Sequence, residues 1–201
     1  TIFDITKAGA GTLLYSGNIS ALSSNQTVNV SAGTLAIISN LTGGYGITIN
    51  GAGGLSFRGA TTNAAASSIT ANAGSALTFD SSTVSATGTT RAASLTLKGG
   101  ALNILGNAGA NSSDSITGYL TVNAPSTFGT AGANTVSLTP DTAANTRLTA
   151  GSLVRSNNGA VFFRGTNLGA STIPSNTANA TNIVFTTAPT AQLVGGNGTA
   201  G

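Results

Sequence analysis

Asp4, Asp80, Asp114 and Asp141 are the only acids in this 201-residue chain, which has no Glu, His or Cys. Acid–base cleavage of a glycosidic bond needs two or three carboxyl groups converging on one face, often beside a basic group or a metal. Successive gaps of 76, 34 and 27 residues allow at most a pair to converge, and each Asp reads as a solvated surface carboxylate. The absence of Cys excludes a disulfide framework and thiolate metal sites. Neither "GGYG" (43–46) nor "GGNG" (195–198) is followed by the Asp of a calcium-binding glycine repeat, and Lys98 precedes a glycine pair without forming a phosphate loop. No catalytic, cofactor-binding or metal-ligating residue is expected, and the chain reads as no enzyme.

The cations give a similar answer. Lys7, Arg58, Arg91, Lys98, Arg147, Arg155 and Arg164 are scattered singly, for a net charge of +3. Nucleic-acid binding requires several phosphates to be neutralised along one face, so no nucleic-acid partner is expected. No apolar run is long enough to span a bilayer, so no transmembrane segment is expected. Seven Asn-x-Ser/Thr sequons are about what chance yields in a chain so rich in these residues.

What could position so few groups is written in the small residues. Ala, Gly, Ser, Thr and Asn make up 136 of the 201 residues. Short bursts of apolar alternation recur between Gly, Asn and Ser, as in "VSAGTLAIIS" (30–39), "NGAGGLSFRG" (50–59) and "ANAGSALTFD" (71–80). Leu35, Leu55, Leu77 and Leu102 recur at intervals of about 20–25 residues, the signature of a solenoid whose units bury a shared core. The expected fold is all-β, a right-handed parallel β-helix (β-solenoid) of about 20–25 residues per coil. Glycine turns the corners and one large apolar residue per coil points inward.

The expected core columns comprise Leu13, Leu35, Leu55, Phe57, Leu77, Phe79, Leu102 and Ile104. Asn50, Asn72 and Asn123 each close an apolar–Thr–apolar type of segment and form a candidate side-chain ladder. Thr48, Thr70, Thr96 and Thr121, with Thr78, should face outward. Single outward threonines on coils of unequal length do not make the flat double ranks of an ice-binding surface. Residues 1–201 read as one solenoid domain, with regular coils over 1–123 and looser coils over 124–201. There Pro125, Pro140 and Pro174 mark loops, and bursts persist at Val136–Leu138, Val161–Phe163, Ile183–Phe185 and Leu193–Val194. With no Met, the chain reads as a mature product, a segment of a longer protein or a filament subunit.

"Thr6-Lys7-Ala8-Gly9-Ala10-Gly11-Thr12-Leu13" with "Ser16-Gly17-Asn18", followed by "Val28-Asn29-Val30-Ser31-Ala32-Gly33-Thr34-Leu35", resembles the autotransporter-associated β-strand repeat. The resemblance covers residues 5 to about 38. Segments 162–170 and 188–201 look like stretches of giant repeat-containing bacterial surface proteins. The resemblance implies a secreted, passenger-like β-solenoid at the bacterial cell surface or shed from it, with no shared catalytic or binding residues. The expected function is that of an extracellular structural protein, a rod of a surface layer, stalk or filament that associates with its own kind through its ends or edges. With so few charges, that association is expected to respond little to salt. The alternative is an adhesin whose 124–182 loops meet surface glycans or proteins. No cofactor is expected in either case.

Overall fold

A computed structural model describes residues 4–17, 27–42, 44–62, 68–125, 133–141, 143–169 and 179–189. The expected burst at Leu193–Val194 lies outside them, as does Pro174. The described residues contain strands and turns but no helix. In chain order the strands are β1 (Ile5–Lys7), β2 (Thr12–Tyr15), β3 (Thr27–Ile37), β4 (Gly46–Arg58), β5 (Ser68–Asn72), β6 (Ala76–Asp80) and β7 (Thr89–Ala92). They continue as β8 (Ser94–Lys98), β9 (Ala101–Leu105), β10 (Ser112–Asn123), β11 (Asn134–Thr139), β12 (Thr146–Ser156), β13 (Val161–Gly165) and β14 (Thr181–Phe185). All strand pairs are parallel and belong to one 14-stranded sheet, an arrangement compatible with a parallel β-helix.

Register resolves the pairs into three stacks. The first runs from β1 through the leading halves of β3 and β4 to β5, β8 and the trailing halves of β10 and β12. The second runs from β2 through the trailing halves of β3 and β4 to β6, β9, β11 and β13. The third consists of β7, the leading halves of β10 and β12, and β14. Long strands such as β3, β4, β10 and β12 therefore serve two stacks and bend between them.

Alternation along each strand sends every second side chain inward. In the second stack Leu35, Leu55, Leu77 and Leu102 are direct register partners and are all buried. Phe57, Phe79 and Ile104 form the adjacent buried column, with the two rings 6.3 Å apart and tilted by 41°. Each fully buried large side chain contributes about 1.5–3 kcal/mol relative to exposure.

Leu13 departs from the expectation of a buried column residue. It pairs in register with Leu35, yet 46 % of its surface is exposed. The reason is its position: among the described residues β2 pairs only with β3, so one side of Leu13 is left without a strand against it.

The corner between β1 and β2 explains the glycines of the opening motif. Gly9 and Gly11 have φ of +79° and +90°, which a side chain would strain. At the equivalent corner of the next coil, Gly33 has φ +63°, and a Cβ there would stand 2.6 Å from the Gly9 carbonyl oxygen. Lys7 is buried in this corner and donates hydrogen bonds to the carbonyls of Gly9 (2.7 Å), Ala32 (3.1 Å) and Ala8 (3.3 Å). One ammonium thus ties two coils together and satisfies carbonyls that the turn leaves outside the sheet.

Candidate functional site

Arg91 and Asp114 are both fully buried, and the Arg91 Nε donates to Asp114 Oδ1 at 2.6 Å. This corrects the expectation that each Asp is a solvated surface group. The local cause is a register shift: Thr90 pairs with Ser115 and Ala92 with Ile116, leaving Arg91 as the extra residue. Such a bulge re-aims a side chain, and here Arg91 turns into the interior beside Ala92.

The guanidinium reaches across several turns of chain. Its Nη1 donates to the Thr61 carbonyl at 2.7 Å, and its Nη2 donates to the Gly59 carbonyl at 2.5 Å and Ser81 Oγ at 3.2 Å. Its Cζ lies 5.9 Å from the centre of the Phe79 ring. Asp114 is less well provided for, because its Oδ2 has no hydrogen-bond partner and its register neighbour on β12 is the buried Leu148. Burial raises the Asp114 carboxyl above its ordinary value, outweighing the downward pull of the Arg91 charge and hydrogen bond. The pair is sealed from solvent, so its chemistry is to hold neighbouring coils together.

The other acids stay apart. Asp4 Oδ1 accepts from the Thr27 backbone N–H and hydroxyl, each at 3.0 Å. Asp80 Oδ1 accepts from the Ser82 hydroxyl at 2.6 Å and backbone N–H at 3.1 Å, while its Oδ2 lies 3.8 Å from Arg58 Nε. Among the described residues, no three acids gather where they could hold a metal ion.

The amide ladder is real in its first part and different in its membership. Asn50 Nδ2 donates to Asn29 Oδ1 at 3.0 Å, and Asn72 Nδ2 donates to Asn50 Oδ1 at 2.6 Å. Asn123 is not part of it, contrary to expectation. Lys98 is the register partner of Asn72 and occupies the step between Asn72 and Asn123. Asn123 Oδ1 is buried without a partner, while its backbone carbonyl accepts from Asn134 Nδ2 at 2.9 Å. The outer row of the first stack brings Thr48, Thr70, Thr96 and Thr121 into direct register.

Two exposed features stand out among the described residues. A groove of about 350 Å³ is lined by Leu14, Ile38, Val84 and Ala60, with the Arg58–Asp80 pair between them. Elsewhere Tyr119 and Phe162 are 59 % and 58 % exposed, and Arg164 lies over the Phe162 ring with its Cζ 5.1 Å from the centre. No family model, curated protein or solved structure matches this chain.

Proposed function

We propose that this chain is an extracellular structural protein, a rod of right-handed parallel β-helix with about 20–25 residues per coil. It serves in a bacterial surface layer, stalk or filament and associates with its own kind. The observation that carries this reading is the continuity of the interior: the column Ile5, Val28, Ile47, Ile69, Leu95, Leu120 and Leu153 runs in unbroken register through the first stack. The row beside it on the outer face is Thr6, Asn29, Thr48, Thr70, Thr96 and Thr121, ending in Val154, mostly small uncharged polar residues suited to an inert surface. The repeat resemblance of residues 5–38 supports the placement at a cell surface. Electron microscopy of the purified chain tests the reading: rods joined into longer particles support it, while uniformly single, compact particles at high concentration count against it.

The exposed Tyr119 and Phe162 favour a second reading, an adhesin that stacks glycan rings or docks protein on aromatic groups. Binding to a glycan array that is lost in both Tyr119→Ala and Phe162→Ala would favour it over the structural rod.

A further inference from the structure

Three of the large apolar side chains exposed among the described residues converge on one groove. Leu14, Ile38 and Val84 belong to different coils and are each about half exposed, yet all line the groove of about 350 Å³ that holds the Arg58–Asp80 pair. Apolar groups gathered in this way mark a binding surface, where single scattered ones would not. We propose that this groove binds a carboxylate borne on a short unbranched alkyl chain: the Arg58 guanidinium takes the carboxylate, and Leu14, Ile38 and Val84 cover the chain. The site adds a ligand to the molecule and depends on neither reading of its overall role.

Local structure builds the groove. Ile38 and Arg58 each follow the Ile37–Phe57 register pair, and Asp80 is the partner of Arg58 on the next strand. An apolar side chain, a cation and an acid therefore stand side by side on three successive coils. Gly59 then turns the chain with φ +63°, and a Cβ there would come within 3.5 Å of Val84 Cβ, so Val84 closes down on the turn and forms a wall. The volume lies at the small end of the roughly 300–1,000 Å³ of ligand pockets, and apolar walls around a few charged groups match their usual lining.

The charges select an anion. The Arg58 side chain is 45 % exposed and that of Asp80 only 17 %, so a ligand in the groove meets the cation. Arg58 Nε lies 3.8 Å from Asp80 Oδ2, beyond hydrogen-bond distance, and no other described residue accepts a hydrogen bond from the guanidinium. Asp80 Oδ1 already accepts from the Ser82 hydroxyl and backbone N–H. A guanidinium with vacant donors pairs with a carboxylate through two parallel hydrogen bonds. A cationic head group would find no acceptor so open.

Titration of the intact, folded chain with sodium octanoate, followed by methyl NMR, reads the site. The Leu14, Ile38 and Val84 methyls should shift together and saturate. Octanol and octylammonium, which keep the chain and change the head group, should bind at least about tenfold more weakly. Arg58→Gln should lose about tenfold in octanoate affinity. Asp80→Asn, which keeps an acceptor for Ser82, should gain about threefold by removing the competing charge. Circular dichroism verifies that both variants fold. Octanol binding as tightly as octanoate, or octanoate affinity unchanged in folded Arg58→Gln, would overturn the carboxylate assignment. Methyls that do not shift across the titration would overturn the site itself.

Discussion

The second and third stacks fill the same interior in opposite ways. In the second, Leu35, Leu55, Leu77 and Leu102 follow one another as like on like, and no polar side chain shares their column. In the third, a bulge turns Arg91 inward to meet Asp114, and the interior positions around them include the buried Thr89 and Ser112. The first arrangement draws its stability from apolar burial and tolerates no charge. The second contains two charges and depends on each for the other, since an ion pair out of water is stable only when its partners are supplied.

The largest effects should appear on leaving one unpaired charge in each stack. Leu55→Asp puts an unpaired carboxylate into the apolar column and should cost more than about 5 kcal/mol, enough to unfold the chain in urea titration. Arg91→Met leaves Asp114 buried without its partner and should cost about 3–5 kcal/mol. Adding Asp114→Leu to Arg91→Met should recover part of that loss, because it removes the unpaired carboxylate while the Thr61 and Gly59 carbonyls still lack their donor. If the double variant is as unstable as the single one, the pair contributes more than mutual compensation.

Titration sharpens the same contrast. Because burial raises the Asp114 carboxyl above 3.8, the folded chain holds that proton more tightly than the unfolded chain does. The stability due to this group is therefore present at pH below the unfolded value and is lost as pH rises through the folded value. Measured by urea midpoint, wild type should lose stability relative to Asp114→Asn as pH rises from about 4 toward neutrality. A difference that moves the other way would show that Arg91 dominates burial.

The smallest effects belong to the outer face of the first stack. Asn50→Ala removes both ladder bonds and should cost about 1–2 kcal/mol. Thr48→Asp, facing outward, should lie within about 0.5 kcal/mol of wild type.

The two stacks were not equally legible in the sequence. The second shows glycine followed by apolar alternation, so Leu35 to Leu102 and the Phe57–Phe79–Ile104 column could be read directly. Leu13 was placed in the right column, but its exposure depends on how many coils lie beyond it, which spacing does not encode. Asn50 and Asn72 were recognisable from their strand-ending triplets. Asn29 was missed because it follows no such triplet and stands between Val28 and Val30 at the register of Thr48, and Asn123 was misassigned because Lys98 takes the intervening step.

Arg91 and Asp114 were hidden by a bulge that breaks the alternation around Arg91. A signal was nonetheless present: the two lie 23 residues apart, close to the repeat, and Asp114 alternates with Ser112 and the buried Ile116. An alternating segment that places an acid on its apolar face, one repeat away from a basic residue, marks such a pair.

The central claim is the parallel, one-coil register that aligns these columns, and a chain without cysteine allows it to be tested by cross-linking. Thr48 and Thr70 are direct register partners, whereas Thr48 and Thr96 are separated by the strand that carries Thr70. Adjacent parallel positions about 4.8 Å apart lie within the Cα range that a disulfide spans. Under mild oxidation of the folded monomer, Thr48→Cys/Thr70→Cys should form an intramolecular disulfide nearly to completion, and Thr48→Cys/Thr96→Cys should form none. Efficient closure of the second pair and failure of the first would contradict the register and the columns built on it.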